Sequence, residues 1–108
     1  MSQIEYEISK LIPNVQGCIG RDYLGMRWYR DRDDPIIVPA MSDDATKGAV
    51  LGFIRRKWRG DVWIGCRLMY PGRLAWVVCG LTANDGIRIN GTEGFDTEEE
   101  AMLAGLKG

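Results

Sequence analysis

The segment from Asp61 to Gly80 constrains this chain more than any other, because two runs rich in β-branched and aromatic residues flank Pro71-Gly72. Proline presets the backbone of a first turn position and glycine accepts the positive φ of a second, so the segment reads as a β-hairpin closed by a type II turn. Facing Tyr70 with Arg73 sets the register, with Leu68 opposite Ala75, Cys66 opposite Val77 and Ile64 opposite Cys79. That face is small, apolar and core-like. The reverse face carries Trp63, Arg67, Met69, Leu74, Trp76 and Val78, with Arg67 across from Trp76 in reach of a cation–π contact. Asn84-Asp85-Gly86 then turns the chain into a third strand, Ile87 to Asn90.

Helices flank this hairpin. Ile4, Ile8, Leu11 and Ile12 recur at helical spacing, with Glu5, Glu7 and Lys10 on the other face and Pro13 as the stop. Met26 to Tyr29 alternates as a short strand, Asp31 to Pro35 reads as a charged surface loop, and Ile36-Ile37-Val38 is extended between two prolines. Ser42, followed by Asp43 and Asp44, starts a second helix: the hydroxyl accepts free backbone N–H groups and the carboxylates suit the positive end of the dipole. The helix runs to about Trp58, burying Ala45, Ala49, Val50, Phe53 and Ile54, and Gly48 and Gly52 would let it approach a sheet closely. The competing reading makes 49–57 a strand, although its apolar residues do not alternate cleanly. Asp96 or Thr97 caps a last helix with acids in its first turn, whose apolar residues are Ala101, Met102, Leu103 and Leu106.

A chain of 108 residues has room for one domain, 1–108, and 45% hydrophobic with 27% charged residues excludes wholesale disorder. The expected fold is α+β: a small antiparallel sheet built on the central hairpin 62–80, with three helices packed on it. No apolar run approaches a membrane span and the first residues do not form a secretory leader, so the expected location is the cytoplasm. There is no histidine, which removes the usual general base, the usual partner of a serine or cysteine nucleophile and the commonest metal ligand. Cys18, Cys66 and Cys79 are odd in number and lack Cys-x-x-Cys spacing, so they read as reduced, buried small apolar residues. With no cofactor fingerprint either, the expectation is a protein that is not an enzyme and needs no metal or cofactor.

Net charge is −1, but it is laid out in blocks: 8 acids against 5 bases in 1–46, 1 against 7 in 47–73, and 6 against 2 in 74–108. The basic middle would attract phosphate or an acidic protein surface, or be neutralised by the chain's own acidic ends. Arg59-Gly60-Asp61 and Asn90-Gly91-Thr92 match adhesion and glycosylation patterns but read as turns, and Gly91-Thr92-Glu93-Gly94 lacks the lysine and spacing of a phosphate loop. Asp33, Asp34, Asp43 and Asp44 are explained by a loop and a helix start rather than by a cation. Two candidate surfaces remain. One is Arg55, Arg56, Lys57 and Arg59 beside Trp58, which would serve phosphates and stack bases. The other is Trp63, Arg67, Met69 and Trp76, residue types enriched in protein interfaces, unless a helix covers that face as a second core layer.

A leading helix, a Trp28 strand, the Pro39-Ala40-Met41-Ser42-Asp43-Asp44-Ala45 helix entry, Val62-Trp63-Ile64 with Trp76-Val77-Val78, and the closing Thr97-Glu98-Glu99-Glu100-Ala101 helix span nearly the whole chain. This layout resembles the phage ABA sandwich type of small phage and prophage proteins. The resemblance carries over no catalytic residue. It implies a phage accessory role in a bacterial host, and small phage proteins of this size include inhibitors of host defence such as anti-CRISPR proteins. The expected partner is accordingly a host protein or protein complex, with nucleic acid as the alternative.

Overall fold

The computed structural model describes residues 3–12, 14, 17, 19–30, 35–69, 72–82, 86–89 and 94–108, with the backbone alone at 69, 81–82 and 86–89. Expectations that fall on Pro13, Cys18, Asp31 to Asp34, Tyr70, Pro71, Asn84, Asp85 and Asn90 to Glu93 lie outside the described residues. The fold is α+β, with helices and small antiparallel sheets in one chain. Two three-stranded sheets stand where the sequence led us to expect one. They belong to two compact units, Met1–Val50 and Leu51–Gly108.

In the first unit, α1 (Gln3–Leu11) is followed by β1 (Gly20–Arg21), β2 (Arg27–Arg30) and β3 (Ile37–Pro39), in spatial order β1-β2-β3. α1 lies against β3, and Ile8, Ile12, Met26, Trp28, Val38 and Met41 are buried. Their helical and alternating spacings supply the apolar sides that pack. Glu5 departs from the solvent-facing position its spacing suggests: its carboxylate accepts the Tyr29 hydroxyl and, at 2.8 Å, the Met41 N–H. A half-buried carboxylate with two donors is satisfied, so the helix face turned inward need not be wholly apolar.

α2 (Asp44–Trp58) is a helix, which resolves the ambiguity over 49–57. Its cap is Asp43 rather than Ser42: the Asp43 carboxylate accepts the Thr46 N–H at 3.0 Å, while Ser42 is exposed. The phase of the buried stripe shifts accordingly. Thr46 and Val50 are fully buried and Ala45 is exposed. Thr46 can be buried because its hydroxyl accepts the Arg27 N–H at 2.8 Å and donates to Asp43 at 2.8 Å. Gly48 and Gly52 have nothing within 4 Å of where a Cβ would stand, so they serve no close approach to a sheet.

In the second unit, the end of α2 leads through Arg59 and Gly60 into β4 (Asp61–Met69), which pairs with β5 (Arg73–Thr82); β6 (Gly86–Ile89) lies on the other side of β5. α3 (Glu98–Lys107) packs on β5 and β4, capped by Thr97, whose hydroxyl accepts the Glu100 N–H. Gly105 permits the contact: a Cβ there would stand 3.2–3.3 Å from Ile54 and Val78. Ile54, Val62, Val78, Ala101, Met102 and Leu106 are buried.

Candidate interaction surface

The hairpin forms as expected, but in a different register. Met69 is opposite Arg73, leaving three residues between the strands instead of two, with Gly72 at φ 126°. Cys66 is therefore opposite Trp76, Ile64 opposite Val78 and Arg67 opposite Ala75. Side chains alternate along a strand, so this one-residue shift turns β5 over relative to β4. The expected face of Trp63, Arg67, Met69 and Trp76 is thereby split. Trp63 and Arg67 share a face with Ala75, Val77 and Cys79, while Trp76 lies on the other with Val62, Ile64, Cys66, Leu68, Leu74 and Val78. The proposed Arg67–Trp76 stacking is lost. Met69 ends β4, and its side chain is outside the described residues.

Each face has its own exposure pattern. Val62, Val78 and Gly80 are buried near the strand ends where α2 and α3 lie, and a Cβ on Gly80 would meet the Trp58 ring. Toward the turn the same face opens: Cys66 is exposed, and Leu68 and Leu74, paired directly across the strands, are 68% and 66% exposed. Trp76 borders them, half-buried, and exchanges backbone hydrogen bonds with Phe95 at 2.7 and 2.8 Å. On the reverse face Trp63 is 41% exposed and Arg67 is exposed, beside buried Val77 and Cys79. Cys66 thus departs from the buried position expected of the cysteines, and Cys79 keeps it. The Leu68–Leu74 pair is a feature the sequence reading missed. The only signal for it was their closeness to the turn, beyond the span a ten-residue helix covers.

The basic stretch is largely engaged within the unit. Arg55 donates from Nε to the Val62 carbonyl at 3.2 Å, Lys57 donates to the Leu106 carbonyl, and the Arg56 guanidinium sits 4.4 Å from the centre of the Phe53 ring. Arg59 is exposed at φ 57°, in the left-handed conformation that ends the helix. Lys57, Trp58, Arg59 and Gly108 line a cavity of about 300 Å³. Two polar groups of its wall are already used, since Trp58 Nε1 donates to the Gly105 carbonyl at 3.1 Å and Lys57 is held as above.

Among the described residues of the first unit a bidentate pair stands out, with Arg21 donating to both oxygens of Asp43 at 3.1 Å. The Arg21 guanidinium, with Thr46, holds the Asp43 carboxyl well below the usual carboxylate range, and Asp43 in turn raises Arg21. Both residues serve the entry of α2. Among the described residues no group of three His, Cys, Asp or Glu could hold a metal ion. No helix is long and apolar enough to cross a membrane, again among the described residues. Comparison of the chain with protein families, with curated proteins and with solved structures returned no match.

Proposed function

We propose that this protein is a non-enzymatic binding module that docks a target protein on the open end of the β4–β5 hairpin, through Leu68, Leu74, Cys66 and the edge of Trp76. The observation that carries this reading is the pair of leucines two-thirds exposed and directly opposite one another. Exposed leucines scattered singly need no explanation, but a contiguous apolar pair bordered by a tryptophan has the composition of an interface core. In the observed register Trp63 and Arg67 lie on the opposite face, and Trp76 borders the leucine pair. The phage accessory role, with a host protein or complex as the inhibited target in the bacterial cytoplasm, rests on the resemblance to phage ABA sandwich proteins. Nucleic-acid binding is the weaker reading, because three of the four cations it needs already have partners within the chain.

The test is affinity for a target captured by crosslinking from host lysate. Replacing Leu68 and Leu74 together with serine should raise the dissociation constant by about thirtyfold or more, the effect of losing a central apolar anchor worth ~2 kcal/mol. Replacing Arg55, Arg56 and Lys57 with alanine should change mainly the on-rate and salt dependence. A double-serine variant with undiminished affinity, alongside strong and salt-sensitive binding of a generic oligonucleotide by the parent, would overturn the proposal.

A further inference from the structure

β4 is an edge strand, and its outer side carries a self-complementary pattern. Trp76 exchanges both backbone bonds with Phe95, so the even-numbered residues of β5 direct their peptide groups toward that side and the odd-numbered ones toward β4. The odd residues of β4 face them in an unbroken register from Asp61–Leu81 to Met69–Arg73. Val62, Ile64, Cys66 and Leu68 must then turn their N–H and C=O groups outward. The Arg55 side chain reaching the Val62 carbonyl from outside agrees with this. Among the described residues no strand pairs with that edge. Nor is the edge protected by proline, lysine or a bulge within β4.

The side chains along one face of β4 are Asp61, Trp63, Gly65 and Arg67. Asp61 and Arg67 are exposed, and among the described residues neither has an ion-pair partner. Among the described residues nothing requires glycine at 65: a Cβ there would make ordinary contacts of 3.6 Å with Cys79 and 3.8 Å with Val77, and its φ is not in the left-handed region. Glycine in a strand interior weakens the strand, and its presence marks a place where another group comes close.

We propose that a second copy of this chain pairs antiparallel along the outer edge of β4, in the register that sets Ile64 opposite the partner subunit's Ile64. One register satisfies each feature. Asp61 then faces the partner subunit's Arg67, and the two-fold axis repeats that ion pair. Trp63 covers the partner subunit's Gly65, an aromatic filling the space a strand glycine leaves. The hydrogen-bonded pairs fall on Val62, Ile64 and Cys66, whose peptide groups point outward. A shift of one residue would set outward groups against residues that point inward, and a shift of two would place Asp61 opposite the partner subunit's Met69 in one direction or the partner subunit's Gly65 in the other, losing the ion pair. The Val62 carbonyl has a second lone pair, so it can keep Arg55 and accept from the new strand. The two sheets become one of six strands. The Leu68–Leu74 pair lies beyond the paired segment, and the pairing uses only the backbone of Cys66, whose side chain stays on the sheet face, so this inference stands apart from the proposed function.

Sedimentation equilibrium from micromolar to near-millimolar protein tests the pairing, with Asp61→Arg and Arg67→Asp made singly and together. Each single change sets like charges opposite one another twice per dimer and should raise the dissociation constant about tenfold or more; the double exchange should restore it to within about threefold. Far-UV circular dichroism confirms that these surface variants fold. Amide exchange provides a second readout, since Ile64 and Cys66 should gain protection with rising concentration. A parent protein that stays monomeric at near-millimolar concentration would overturn the inference. A dimer indifferent to the single changes, or one not restored by the exchange, would do so as well.

Discussion

Replacing Gly80 with alanine tests the packing of the second unit where β5 meets the ring of Trp58. A Cβ at Gly80 would stand 2.5 Å from Cε3 and 2.8 Å from Cζ3 of Trp58. Carbon atoms pack at about 3.5 Å or more, so the ring must move by about 1 Å. The ring is not free to do so, because Nε1 at its other edge donates to the Gly105 carbonyl at 3.1 Å. Overpacking a core costs about 1 to 3 kcal/mol, and a strained or broken hydrogen bond adds about 0.5 to 1.5 kcal/mol. The expected loss is therefore about 2 to 4 kcal/mol, read as a lower urea midpoint by far-UV circular dichroism at unchanged slope. A double-mutant cycle isolates the cause. In a Trp58→Ala background the same glycine change should cost under about 1 kcal/mol, because the clashing atoms are gone. A Gly80→Ala variant as stable as the parent, or equal costs in both backgrounds, would refute the packing argument.

Three further outcomes follow from individual residues. Asp43 has its folded pKa depressed, so the unfolded chain binds the proton more readily, and stability contributed by its pairing is complete above the unfolded value of about 3.9. It is lost as pH falls further, and Asp43→Asn should flatten the urea midpoint against pH below about 4 relative to the parent. Arg59→Gly should stabilise the protein by about 0.5 to 1 kcal/mol, because a left-handed residue after the last helical turn favours glycine; a lower thermal midpoint would contradict this. In a Cys18→Ser background, Cys66 should react with a thiol reagent in the folded protein while Cys79 reacts only on unfolding, and equal rates would contradict the assigned exposures.

The local signals in the sequence determined the secondary structure. Proline and glycine marked the hairpin, helical spacing marked α1, and Thr97 with its acids marked the start of α3. These are interactions between residues a few positions apart, so neighbouring residue types suffice to specify them. Which residue capped α2 was less legible: Ser42 and Asp43 are both good caps, and Asp43 prevails because Arg21, 22 positions away, holds its carboxylate in place. Glu5 looked solvent-facing for a similar reason, since its donors come from Tyr29 and Met41.

The candidate surface was decided by tertiary structure. The sequence supplied Trp63, Arg67, Leu68, Leu74 and Trp76 and placed them in one hairpin, but not on which faces. That depended on one residue in the turn: three positions between Met69 and Arg73 set the pairing, where two would have united the tryptophans and the arginine. With a side-chain period of two, a single-residue shift exchanges every inside position for an outside one, and adjacent apolar runs such as Leu74-Ala75-Trp76-Val77-Val78 are compatible with either arrangement. Burial distinguishes the two: Trp58 lies against Gly80, 22 residues away along the chain, and Gly105 of α3 against Val78, 27 residues away, while Leu68 and Leu74 stay open.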